Sequence, residues 1–227
     1  MNKFITIIAS FLIAFTFTKT VLADGHQVYG PYPITLKGYD GDATNSVKYT
    51  GQMARHALHD SLKALVKSGD VAKMMAYYNG EDGLEIIAPA SKGDFVIKQT
   101  MISEIGSGNL SGKMYKGAIP GWGNLTGPEV IEHMMTKAGE VEGGFDPNTG
   151  MDYTQLISKF AMGAVFYNQA VNSYLGSKME VGQKPNNKPY KDGAYYTGKE
   201  HSWDEAFGYW GSAAHALTLS AEQNYNV

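Results

Sequence analysis

The sequence predicts an all-α fold, a helical bundle with long Gly-rich loops. Three observations predict it. Apolar residues recur at helical offsets along several stretches, and no stretch shows the strict alternation of a half-buried strand. The connections between these stretches are rich in Gly, Asn, Asp and Pro. The longest stretch, 152–175, is apolar nearly all round, as a central helix is.

Residues 1–23 read as a secretory signal peptide. Lys3 precedes the apolar run Phe4 to Phe17, which is short for a membrane span, and Val21-Leu22-Ala23 is a small-residue exit. Cleavage is expected after Ala23, placing the product in the periplasm or outside the cell. Residues 24–45 are rich in Gly, Pro, Asp and Asn and read as an extended arm. Residues 46–227 read as a single helical-bundle domain, without an internal repeat. No later apolar run is long enough for a transmembrane anchor.

The first helix is expected over 49–68, stopped by Gly69. Met53, Ala54, Ala57, Leu58, Leu62 and Leu65 build its apolar arc, opposite Gln52, His56, His59, Asp60, Lys63 and Lys67. Arg55 falls at the rim of the arc, beside Leu62 and Val66. A short helix over 70–79 closes at Gly80. Residues 94–105 suit a helix, although their β-branched content also suits a strand. Residues 106–127 form a long irregular connection.

The next helix spans 126–138, with Thr126 or Gly127 as cap, Pro128 in the first turn and Glu129 behind it. Residues 139–151 read as a loop. On the long helix 152–175, Leu156, Phe160, Gly163, Tyr167, Val171 and Tyr174 form one stripe, and Gly176 ends it. A polar linker over 177–199 leads to a last helix from His201 to about Ser220.

Composition removes several functions. The chain of 227 residues has no cysteine, so thiolate metal sites, thiol nucleophiles and disulfides are excluded. Its net charge of −3 offers no broad basic footprint for nucleic acid. Arg55 is the sole arginine among 19 basic residues. A guanidinium grips carboxylates in two-point geometry, which an ammonium cannot do.

The last helix carries the most informative polar set. Trp203, Ala206, Phe207, Trp210, Ala214 and Leu217 share one face; His201, Asp204, Glu205, Gly208, Ser212 and His215 share the other. An imidazole and two carboxylates within one turn can bind a metal ion, or do acid–base work if burial moves their pKa values. The plainer alternative turns the Trp face inward and leaves His201, Asp204 and Glu205 in water, where charged faces usually lie. Arg55 on its apolar rim needs an anionic partner, since an unpaired buried charge is costly. Asp204 or Glu205 is the candidate, in a pair that is either structural or holds one carboxylate for a ligand.

Other sets are weaker. His56, His59 and Asp60 share a face with Lys63 and Lys67, which favours a solvated surface over a metal patch. Glu132-His133 stands alone. Asp146 to Asp152 begins like a calcium loop but has Met151 and Ile157 where Gly and Glu are needed, so it reads as a turn and helix cap. Residues 106–127 lack the Lys-Ser/Thr of a phosphate loop, and no Gly-x-Ser-x-Gly elbow is present.

A resemblance adds to this. Gly51-Gln52-x-x-Arg55, Leu62-Lys63, Asp152-Tyr153-x-Gln155-Leu156-x-x-Lys159, Met162 to Tyr167 with Gln169, Tyr174-Leu175, and His201-x-Trp203-Asp204-Glu205-Ala206-Phe207-Gly208-Tyr209 resemble the bacterial family called domain of unknown function 4856, related to imelysin-like proteins. The resemblance runs over most of the chain beyond the leader. It implies an exported helical bundle, in a group of which several members are linked to iron uptake or regulation and some were classed as metallopeptidases. The group's signature is Gly-x-His-x-x-Glu. Here His201 lies one place further from Gly198, with Asp204 and Glu205 at the third and fourth places after it. Family members also run further past this helix, which implies that a chain ending at Val227 is a short version or a truncated frame.

These readings converge on an exported protein that binds a metal ion, iron or another divalent, or an iron-linked ligand through His201, Asp204 and Glu205, with Arg55 and Gln52 supporting. Two competing readings remain: a metal-dependent hydrolase or peptidase with Glu205 as base, and a cell-envelope interaction module with no metal site.

Overall fold

The computed structural model describes residues 34–44, 46–87 and 98–211. The expected signal peptide, most of the expected N-terminal arm and the segment from 212 onward, with His215 and Leu217, lie outside them. So do residues 94–97 of the expected third helix.

Helix α1 spans Thr50–Leu65 and tightens into a 3₁₀ turn, Val66–Ser68, before Gly69 turns left-handed. Helix α2 spans Val71–Asn79, and the Asp70 side chain accepts from the Lys73 N–H at its start. Helix α4 spans Gly127–Gly139. The Glu129 carboxylate there takes both the Thr126 N–H and hydroxyl at 2.7 Å, satisfying donors that the first turn leaves free. Each of these helices was legible from cap and period.

Among the described residues of the third expected helix, 98–105, only Ile102–Ile105 is helical, labelled α3. Before it the chain is strand-like: Met101 bridges Glu85, the Ile86 N–H donates to Thr100 O and the Ile102 N–H to Leu84 O. The β-branched content of this segment wins over its helical spacing.

The 139–152 region contains a two-stranded ribbon. Strands β1 (Phe145–Asp146) and β2 (Met151–Asp152) pair antiparallel, Phe145 opposite Asp152 and Asp146 opposite Met151. Asp146 accepts from Asn148 N–H and the Thr149 hydroxyl, and Asp152 caps the next helix by accepting from Gln155 N–H. The calcium-like stretch is therefore a turn and a cap.

The long helix begins as α5 (Tyr153–Ala161) and continues as a π-helical segment, Met162–Tyr174. Ile157 and Ala161 are buried in the α part and Val165, Phe166, Ala170 and Tyr174 in the π segment, whereas Leu156 and Tyr167 of the expected stripe are exposed. The stripe is already out of phase at Leu156, and past Ala161 the wider register takes the buried face further from a wheel drawn at one constant period.

Helix α6 runs Gly198–Trp210, three residues earlier than expected. It ends at Gly211, whose φ of +77° is a left-handed C-cap, and the expected continuation to about Ser220 lies outside the described residues. At its start Thr197 accepts from Glu200 N–H, and the Glu200 carboxylate takes the Thr197 N–H.

The core gathers Leu58, Leu62, Met74, Tyr77, Ile131 and Met135 at the centre, with Ile157 and Val165 from the long helix. Helix α6 lies against the π segment and α1. No helix among the described residues is long and apolar enough to cross a membrane.

Candidate functional site

Helix α6 turns its polar face inward. Trp203 is 49% exposed and Trp210 71%, while Asp204 is 4% exposed. The arrangement with Trp buried and the acids in water is thus overturned. Gly208 supplies the physical reason. A Cβ there would stand 2.7 Å from Tyr49 Cβ and 2.9 Å from Gln52 Cβ, so only a bare backbone lets α1 come this close. That approach puts the Gly208 side of α6, and with it Asp204 and Glu205, against α1.

Asp204 Oδ2 accepts the Lys48 N–H at 2.6 Å. Its Oδ1 is buried with no hydrogen-bond partner. Burial pushes the Asp204 carboxyl up to about 7; the Lys48 N–H opposes this and the Glu205 charge adds to it. Glu205 Oε1 accepts from Gln52 Nε2 at 2.9 Å and from the Tyr174 hydroxyl at 3.4 Å.

His201 lies between the two acids. Its Nε2 is 3.5 Å from Glu205 Oε2, and its Nδ1 is 4.0 Å from Asp204 Oδ2. The Nδ1 is buried and unpartnered. Tyr196 stacks on the ring at 4.8 Å and Tyr190 meets it at an angle. Burial pushes His201 below its ordinary value; Glu205 pulls it up, and Lys178, Lys48 and Lys184 push it further down.

The structure therefore brings His201, Asp204, Glu205 and Gln52 together. It does not bring in Arg55 as expected. The guanidinium donates from Nε to Asn109 O and from Nη1 to Gly51 O, both at 2.9 Å, and its Cζ lies 5.7 Å from the Tyr209 ring centre. No carboxylate stands within ion-pair distance of it among the described residues. Arg55 ties α1 to the Gly-rich connection instead, and Gln52, one turn earlier, makes the link to Glu205.

The three acid and imidazole side chains do not surround one point. The carboxylates lie at opposite nitrogens of the His201 ring, and among the described residues no group of three or more such side chains is placed to hold a metal ion. The free donors are two, His201 Nδ1 and Asp204 Oδ1.

The spacing of residues did not mark the lysines near this cluster. Lys178 Nζ sits 3.1 Å above the centre of the Tyr174 ring, and burial pushes it down to about 8. Lys113 is half-buried and is also pushed down, by burial and then by Arg55. Lysine is so common in this chain that no single one stands out in the sequence.

His56 and His59 are not on a solvated surface, contrary to the expectation. His59 is buried, with Nε2 near Ser158 O at 3.1 Å and Nδ1 near Asp60 Oδ1 at 3.2 Å. His56 stacks on Phe166 at 4.3 Å and bonds Gly208 O. Both border a groove of about 530 Å³ that also meets Met162, Tyr167 and Trp210. Both nitrogens of His59 and the Nε2 of His56 meet neighbouring groups, and the two rings pack between α1, the π segment and α6.

Residues 130–225 match the family model described as Domain of unknown function (DUF4856). The match supports that family. It takes in α4 from Val130 onward, the hairpin, the long helix and α6, hence His201, Asp204 and Glu205, while Gln52 and Arg55 lie outside it. No curated protein and no solved structure matches the chain.

Proposed function

We propose that this chain is an exported, non-enzymatic helical bundle of imelysin-like type, and that it binds a small ligand at the polar cluster between α1 and α6. The observation that carries the reading is the pair of orphaned atoms, His201 Nδ1 and Asp204 Oδ1, buried beside one another's residues. A buried polar atom left unpaired costs about 1–3 kcal/mol, and native proteins keep few of them. A ligand reaching both atoms recovers that cost on binding.

The donor set limits the ligand. A bare divalent ion finds two free protein donors here, fewer than the three or four that structural and catalytic sites use. An ion carried in a small chelate brings its own remaining donors, which keeps the iron-linked reading open to test. The hydrolase reading asks Glu205 to be a base on a metal-bound water. The Glu205 oxygens instead face Gln52, Tyr174 and the His201 ring.

Calorimetric titration of the full chain with zinc, manganese and calcium chlorides, with ferric citrate and with apo-citrate tests the proposal. One saturable site lost in His201→Ala is expected. Silence with every titrant would favour the envelope interaction module.

A further inference from the structure

We propose that the groove between α1, the π segment and α6 is a second ligand site, and that its ligand is a small aromatic carboxylate. The groove shares no residue with the His201 and Asp204 pair and stands on other observations.

Three elements build its apolar lining. Met53 comes from α1, Met162, Phe166 and Tyr167 from the π segment, and Tyr209 and Trp210 from α6. The volume of about 530 Å³ falls in the range of about 300–1,000 Å³ that small molecules occupy. The inner rings pack on one another. His56 stacks on Phe166 at 4.3 Å, and His59 and Tyr209 meet Phe166 edge-on at 5.4 and 6.3 Å between ring centres. The wall that carries Phe166 is π-helical, and π turns are rare and recur at functional sites. Two large rings are left over. Tyr167 is 59% exposed and Trp210 71%, and among the described residues neither meets another ring. Aromatic faces open to water beside a concave apolar wall suit a flat apolar ligand, which covers them on binding.

The polar edge sets the charge of that ligand. Asp60, Lys63 and Lys159 border the groove. Asp60 Oδ1 is already met by His59 Nδ1 at 3.2 Å. Lys159 Nζ has only the Met162 thioether, at 3.9 Å, a weak acceptor. Lys63 Nζ has no hydrogen bond or ion pair among the described residues. Two ammoniums against one carboxylate leave a surplus of one positive charge, which a monoanion balances. A cation of the same shape would meet both ammoniums. A flat ring against Tyr167 and Trp210, with one carboxylate toward Lys63 and Lys159, answers both parts of the lining.

The test titrates the full chain by calorimetry with three probes. Sodium 2-naphthoate has ring and carboxylate, 2-naphthylmethylammonium chloride has the opposite charge on the same ring, and sodium acetate lacks the ring. One saturable naphthoate site is expected, at least tenfold tighter than either reference. Trp210→Ala and Lys63→Gln should each weaken it tenfold or more, and Lys63→Arg, which keeps the charge, should retain most of it. Trp203→Ala and His201→Ala, both outside the groove, should leave it unchanged. Trp210 lies mostly in water, so its truncation should remove binding at an unaltered melting temperature. No saturable naphthoate binding, equal binding of the ammonium, or binding indifferent to Trp210→Ala overturns the proposal. Naphthoate binding abolished by His201→Ala would belong to the polar cluster and overturns it too. So does silence that turns to binding in Leu217→Asp, which assigns the groove to the chain beyond Gly211.

Discussion

The side-chain amide of Gln52 donates to Glu205 Oε1 at 2.9 Å, joining the first helix to the last across 153 residues of chain. Gln52 is 3% exposed, so the bond is made out of water. Replacing Gln52 with Ala leaves a carboxylate oxygen with only the longer Tyr174 contact. We expect a loss of about 1–3 kcal/mol in chemical denaturation. An unchanged midpoint would place Gln52 outside the packed interface.

The α6 face is checked by its tryptophan. A buried Trp truncated to Ala costs about 3–5 kcal/mol. Trp203 is half exposed, so Trp203→Ala should cost under about 1 kcal/mol. A loss of the larger size would mean that the helix turns the other way.

At Gly208, α6 comes close to the start of α1. Gly208→Ala puts a methyl within 3 Å of Tyr49 and Gln52. Over-packing of this kind costs about 1–3 kcal/mol, whereas Ala in an unobstructed helix interior would stabilise slightly. The sign of the change in melting temperature decides between these.

Asp204 should make stability fall as pH rises. Its folded pKa is raised from 3.8 to about 7, so the protein favours the neutral carboxyl. That contribution is complete below pH 4 and is lost as pH climbs through 7. His201 is lowered, so its contribution is present above its ordinary value of 6.5 and is lost as pH falls. Asp204→Asn keeps an acceptor for the Lys48 N–H and removes the ionisation. Its melting temperature should exceed that of the unaltered protein by a margin that widens from pH 4.5 to 8. A constant margin would mean that Lys48, Glu205 and His201 leave the Asp204 carboxyl at its usual value.

Arg55→Lys exchanges two guanidinium–carbonyl bonds for an ammonium that cannot span both acceptors. A loss of about 1–2 kcal/mol is expected, with faster amide exchange confined to the connection around Asn109. Faster exchange in α6 instead would show that Arg55 supports the acidic turn directly.

Period and punctuation in the sequence were enough to locate α1, α2, α4 and the long helix. Gly69, Gly80, Thr126 and Asp152 carry their starts and stops locally, through caps and left-handed turns that need no distant partner. The polar turn His201-x-x-Asp204-Glu205 was legible for the same reason, since helical spacing alone gathers it.

Which way that turn faces was decided only in three dimensions. Both faces of α6 offer a reasonable inside: one rich in Trp, the other small at Gly208. The choice went to the face that lets two backbones approach, and no count of apolar residues contains that term. Arg55 teaches the same lesson. Its need for acceptors was readable, but backbone carbonyls at Gly51 and Asn109 met it, and carbonyls leave no mark in a sequence.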